Sequence, residues 1–169
     1  MNRNELFPIV DEAGSVVGKA TRGECHSGTM LLHPVVHLHV MREGGYIYLQ
    51  QRSMNKDIQP GKWDTSVGGH VDYGETIEEA LFREAREELG LSGFSPKKIE
   101  PYVFQSDVER ELINPYVAYL APECVITPDP EEISCGRYWH VDEIDRNLGK
   151  GVFTPNFESE YKLIKQYTK

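Results

Sequence analysis

Cysteine is scarce: Cys25, Cys124 and Cys135 are odd in number and widely spaced, which excludes a disulfide framework, and no C-x-x-C pair suggests a zinc knuckle. Reduced thiols are expected, two of them buried. Long apolar runs are missing too. Nothing approaches the roughly 18 to 20 apolar residues that span a bilayer, and Met1-Asn2-Arg3-Asn4-Glu5 has no signal-peptide stretch behind it, so a soluble, cytoplasmic protein is expected. Positive charge is in short supply, with 18 Lys plus Arg against 27 Asp plus Glu and a net charge of −9. That field opposes non-specific binding to nucleic acid or to anionic membranes. A phosphorylated small molecule stays admissible, because a local cation or bound metal reverses the potential inside a cleft. There is no internal repeat and no low-complexity segment, and 169 residues suit one domain, 1–169.

What is present reads as strands with interspersed helices. Residues 7–19 form a hairpin around Asp11-Glu12-Ala13-Gly14. His33 to Met41 alternates at strand period, with Val36, Leu38 and Val40 on one side and Val35, His37, His39 and Met41 on the other; His37 and His39 read as its polar side. Glu43-Gly44-Gly45 turns the chain into a strand over Tyr46 to Gln51. Arg52 to Asp64 is a polar loop, and Thr65 to His70 a short strand broken at Gly68-Gly69. Glu75 to Leu89 has no Gly or Pro and predicts a helix stopped by Gly90. Strands follow at Tyr102 to Gln105, Pro115 to Leu120 and Arg137 to His140. Helices close the chain at Val141 to Asn147 and Asn156 to Tyr167, the latter capped by Asn156 with Phe157, Tyr161 and Ile164 on one face. The expected class is an α/β (α+β) sandwich.

On the wheel of the Glu75 to Leu89 helix, Ile77, Ala80 and Leu81 share a sector into which Glu84 and Glu88 also fall, with Glu87 at its edge. Carboxylates at i, i+3 and i+4 repel one another. A hard divalent cation such as Mg²⁺ or Mn²⁺ would turn that repulsion into a binding site; the bland alternative is a solvated charged face.

Gly69 to Leu91 reads GHVDYGETIEEALFREAREELGL and resembles a complete Nudix box, G-x5-E-x7-R-E-U-x-E-E-x-G-U, with every fixed position filled. The resemblance implies an α/β/α sandwich around a mixed sheet and cleavage of a diphosphate linked to another moiety. By position, Glu84, Glu87 and Glu88 match the family's metal-binding glutamates, and Arg83 and Glu75 an ion pair bracing loop against helix. Glu84 and Glu87 are both candidates for the base. Glu132 resembles a later glutamate that some Nudix enzymes recruit to the metal.

From about Val10 to Tyr119 the chain also resembles isopentenyl-diphosphate isomerase, of the same superfamily. This implies a second metal set, His26, His33 and His70 with Glu109 and Glu111, suited to Mn²⁺, Mg²⁺ or Zn²⁺, and a diphosphate-binding set, Arg22, Arg52 and Lys56, with Trp63 in the same register. The isomerase carries an acid/base cysteine where this chain has Gly68, whereas isomerases usually have a degraded box and this one is intact. The leading expectation is therefore a Mg²⁺-dependent hydrolase of a nucleoside or other organic diphosphate. The alternatives are an isoprenoid-diphosphate enzyme and a ligand-sensing module that does not cleave. A homodimer is possible in all three cases. Specificity is expected from residues 57–62, 106–115 and the N-terminal hairpin, with Tyr102, Phe104 and Tyr116 as ring-stacking or core residues.

Overall fold

The alternating segment around residues 33–41 becomes the spine of a mixed sheet. A computed structural model describes residues 2–131 and 133–169, so the expectation for Glu132 lies outside the described residues. The chain runs β1 (Leu6–Val10), β2 (Val16–Thr21), α1 (Arg22–Cys25), β3 (Leu32–Arg42), β4 (Tyr46–Arg52), β5 (Trp63–Asp64), β6 (Val67–His70), α2 (Ile77–Leu89), β7 (Lys97–Lys98), β8 (Tyr102–Gln105), β9 (Arg110–Tyr119), β10 (Ile133–His140), α3 (Val141–Asn147) and α4 (Pro155–Ile164). The eight-stranded sheet has the order β10-β4-β3-β9-β7, with β5 on β4, β6 on β3 and β8 on β9. Only the β3 and β9 pair is parallel among the described strands.

The two faces of β3 follow its alternation. Val36, Leu38 and Val40 pack against Ala80, Leu81, Ala85 and Leu89 of α2. On the opposite face, Met41 joins Ile47, Leu49 and Trp139, covered by Ile144 of α3 and by Phe157, Tyr161 and Ile164 of α4. Burying each such side chain contributes about 2 kcal/mol, so both faces need their helices. The result is the expected α/β/α sandwich. The β1 and β2 hairpin forms a separate small layer in which Phe7, Ala20 and Cys25 are buried.

The sheet forks at its centre. Residues Val35–Leu38 of β3 pair with β6, whereas Met41 and Arg42 pair with β4. Ser66 bridges the fork: its hydroxyl accepts from Val40 N at 2.9 Å and donates to the Tyr48 carbonyl. A cleft opens between the two prongs.

Several boundaries differ from expectation. Helix α2 starts at Ile77 rather than Glu75, because Thr76 is the cap: its hydroxyl accepts from Glu79 N and the Glu79 carboxylate accepts from Thr76 N. Helix α4 is capped by Thr154, not Asn156, since Pro155 suits the first helical position; it ends at Ile164 in a 3-10 turn over Lys165–Tyr167. Strand β9 begins at Arg110, so only residues 106–109 of the expected specificity loop are loop, and β10 begins at Ile133. Helix α1 and strand β7, two to four residues each, had no periodicity to show. Cys25 alone of the three thiols is buried. His37 and His39, the polar side of β3, are covered by α4: His39 is fully buried, and His37 is partly buried.

Candidate active site

Arg83 organises the acidic helix. Its guanidinium donates Nε to Glu75 Oε2 at 2.8 Å and Nη2 to Glu75 Oε1 at 2.9 Å. Nη1 donates to Glu84 Oε1 at 2.7 Å and reaches Glu87 Oε2 at 3.4 Å, while Nη2 also donates to the His70 carbonyl at 3.0 Å. One cation thus ties the loop before α2, two glutamates of α2 and the end of β6. Burial alone would raise the Glu75 carboxyl, but hydrogen bonds from Arg83 and from Asp72 N outweigh it and hold it below its ordinary value. Glu84 goes the other way: burial, with Glu87 and Asp72 nearby, raises it despite Arg83. Glu87 is exposed, and Glu88 accepts from Gly68 N at 3.1 Å. Gly69 lies directly under Glu84, where a Cβ would overlap the Glu84 carboxyl group.

Strand register assembles a second cluster. His33 on β3 stands opposite Glu111 on β9, and Val35 opposite His70 on β6, while α1 ends beside His26. One ligating atom from each of His26, His33 and His70 lies within 4.8 Å of the others. His26 Nε2 is 3.1 Å from Glu109 Oε2. His33 shares a hydrogen bond between Nδ1 and the Leu31 carbonyl, and both His33 Nε2 and His70 Nε2 are buried without a hydrogen-bonding partner. Burial lowers all three histidines, keeping the rings neutral with lone pairs to offer. Burial and the neighbouring Glu109 push Glu111 up to about 8. Phe7 stacks on His70 with centroids 4.6 Å apart and fixes its plane.

Both clusters border one cavity of about 600 Å³. Arg22, Arg52 and Lys56 line it, as do His26, His70, Glu88, Glu109 and Glu111; Glu84, Glu87 and His33 do not reach its wall. Arg22 also pairs with Glu5 at 3.2 Å, and Arg52 with Asp64 at 3.6 Å. Phe104 lines an adjoining recess with Ile58 and Val108, Tyr116 is core, and Tyr102 hydrogen-bonds Glu160 at 2.6 Å. Trp63 packs edge-on against Trp139.

Residues 31–157 match the model of the NUDIX domain family, about three quarters of the chain. This chain belongs to the Nudix family. An uncharacterized Nudix hydrolase of Streptomyces coelicolor is 29% identical over 165 residues, covering 97% of this chain and 90% of its own. An isopentenyl-diphosphate Delta-isomerase of Paenarthrobacter aurescens is 31% identical over 143 residues, 79% of this chain and 75% of its own. The crystal structure of DR0079 from Deinococcus radiodurans superposes with a TM-score of 0.78 at 26% identity, over 94% of this chain and 98% of that one. As a Nudix enzyme with an intact box it is a pyrophosphohydrolase, and Nudix enzymes use divalent metals. No helix among the described residues is long and apolar enough to cross a membrane.

Sequence reasoning missed one part of this region. Glu160, 1% exposed, accepts from His37 Nδ1 and His39 Nε2, each at 2.8 Å, and from the Tyr102 hydroxyl. The signal was available: Glu160 sits within the Phe157, Tyr161 and Ile164 stripe, and a carboxylate on a buried stripe needs partners.

Proposed function

We propose that this Nudix enzyme hydrolyses an organic diphosphate with Mg²⁺ or Mn²⁺ held by Glu84, Glu87 and Glu88. The observation that carries the reading is the row of carboxylates on α2, with Glu84 and Glu87 both reaching Arg83 and Glu88 lining a cavity that also presents Arg22, Arg52 and Lys56. Such a donor set of hard oxygens suits a hard cation. A bound divalent cation supplies neutralisation of the diphosphate and a more acidic water. Glu84 or Glu87 takes the proton as water oxygen bonds phosphorus; the bridging P–O bond breaks, and its electron pair leaves on the released phosphate or nucleotide. Arg83 and Glu75 hold loop and helix in register. Arg22, Arg52 and Lys56 bind the phosphate oxygens, which reconciles an acidic protein with an anionic substrate.

A second cation at His26, His33, His70, Glu109 and Glu111 is supported by the two orphaned, buried Nε2 atoms, which a Lewis acid would satisfy. That site favours an isoprenoid diphosphate as a second substrate reading. Gly68 in the cavity wall offers no thiol for carbon acid/base work, so hydrolysis stands ahead of isomerisation.

The test is ³¹P NMR with Mg²⁺ and a panel of nucleoside di- and triphosphates, ADP-ribose, a dinucleoside polyphosphate and isopentenyl diphosphate. Release of phosphate, pyrophosphate or a nucleoside monophosphate from one member is expected and names the leaving group. An intact panel, or an isomerised prenyl diphosphate, would overturn the hydrolase reading.

A further inference from the structure

His37 differs from its neighbour His39 in what its free edge meets. Both rings donate to Glu160, which is buried and accepts three hydrogen bonds from β3 and β8. His39 is fully buried and its Nδ1 has no partner, so it supplies one donor to Glu160 and serves packing. His37 instead lines the 600 Å³ cavity together with Arg22, Arg52 and Lys56. Its Nδ1 is committed to Glu160, which leaves the Nε2 edge to face the cavity side.

Gly68, opposite His37 in the β3 and β6 ladder, explains why that edge is uncovered. Its φ is not positive, so the backbone does not demand glycine there. Space does not demand it either. A Cβ would meet His37 Cδ2 at 3.5 Å and Nε2 at 3.8 Å, ordinary contact distances. What the glycine achieves is an open imidazole edge at the cavity floor. Behind the ring, Glu160 orients it; Glu111 and Asp64 also act on it as negative charges, and they outweigh the cost of burial to raise His37 above its ordinary value.

We propose that His37 is a substrate-binding residue, its Nε2–H donating to an anionic oxygen of the diphosphate in the cavity, with Glu160 as the positioning residue behind it. This rests on the hydrolase reading for the nature of the ligand. The arrangement gives the cavity a donor that cannot swing away, unlike the long side chains of Arg52 and Lys56, because the ring is held between Glu160 and the β6 ladder.

The test uses methylenediphosphonate, a diphosphate that resists cleavage, titrated in Mg²⁺ into wild type and His37→Gln, with the histidine ring signals of wild type followed by ¹H–¹⁵N NMR. Affinity in His37→Gln is expected to fall by about tenfold, the value of one hydrogen bond to a charged group, and the His37 Nε2–H signal of wild type is expected to move. Affinity within twofold of wild type, or a wild-type His37 signal that stays in place, overturns the inference. The second measurement needs no variant and decides the matter should His37→Gln fail to fold. Cleavage of a panel member with His37 silent overturns this inference alone. Probe binding through His37 without cleavage of any panel member overturns the hydrolase reading alone.

Discussion

Arg83 and Glu75 form a two-pronged ion pair, at 2.8 and 2.9 Å, that joins the loop leaving β6 to the middle of α2. The same guanidinium holds Glu84, so disturbing Glu75 should be felt at the proposed metal-binding face. Glu75→Gln keeps the shape but removes the charge that both prongs need. It is expected to cost about 1–2 kcal/mol in urea unfolding and to lower kcat by tenfold or more at saturating Mg²⁺. Stability and kcat both unchanged would leave the pair without a role.

Gly69→Ala tests steric need separately from charge. A Cβ there overlaps the Glu84 carboxyl, so that side chain must leave its contact with Arg83 or the strand must shift. Overpacking of this kind costs about 1–3 kcal/mol. The expected signature is a loss of kcat larger than the loss of stability explains, read by comparing turnover with thermal midpoint; normal turnover would show that Glu84 has room to move.

Glu87→Gln should separate chemistry from fold most cleanly. Its side chain is 57% exposed and its contact with Arg83 is long, at 3.4 Å, so stability should move by no more than about 0.5 kcal/mol. Turnover is expected to fall by about 10²–10⁴-fold with circular dichroism unchanged, the range for losing a general base or an essential metal ligand. Wild-type turnover at saturating Mg²⁺ would sink the assignment. The parallel loss in Glu84→Gln then identifies the base through the pH profile.

Removing His26 and His33 together should reduce the metal retained after dialysis, measured by elemental analysis. Each contributes a lone pair held neutral by burial, and the pair flanks the orphaned His70 Nε2. Unchanged stoichiometry would return both rings to packing roles against Phe7.

The box was legible because its chemistry is local: twenty-three consecutive residues place Glu75, Arg83, Glu84 and Glu88 by helical period and one turn. Strand β3 was legible for the same reason, its alternation sorting Val36, Leu38 and Val40 from Met41 before any partner was known. The fork was not, because β3 changes partner from β6 to β4 along its length and only Ser66, a small buried hydroxyl, marks the place. Nor was Glu160 legible as a partner of His37, since the two are 123 residues apart and meet only when α4 docks. Polar residues on a strand read as solvated until the element covering them is known.

The pair of His37 and Glu160 should leave a mark on the alkaline limb of stability. Glu160, aided by Glu111 and Asp64, overcomes burial and pushes His37 up to about 9, against about 6.5 in the unfolded chain. Between those values the native state holds a proton that the unfolded state has released, so unfolding stability falls as pH rises. The contribution is complete below about 6.5 and is lost as pH climbs through about 9. Its size is on the order of 3 kcal/mol. Tyr102, raised further, titrates beyond this window, whereas Glu111 titrates inside it, so the informative quantity is a difference between proteins. Urea midpoints of wild type and His37→Gln at pH 6.5 and 9.5 should converge toward the higher pH, because the variant has no charge to lose. A gap that stays constant across that range would mean His37 enters the native state already neutral, and that Glu160 serves to hold α4 on the sheet.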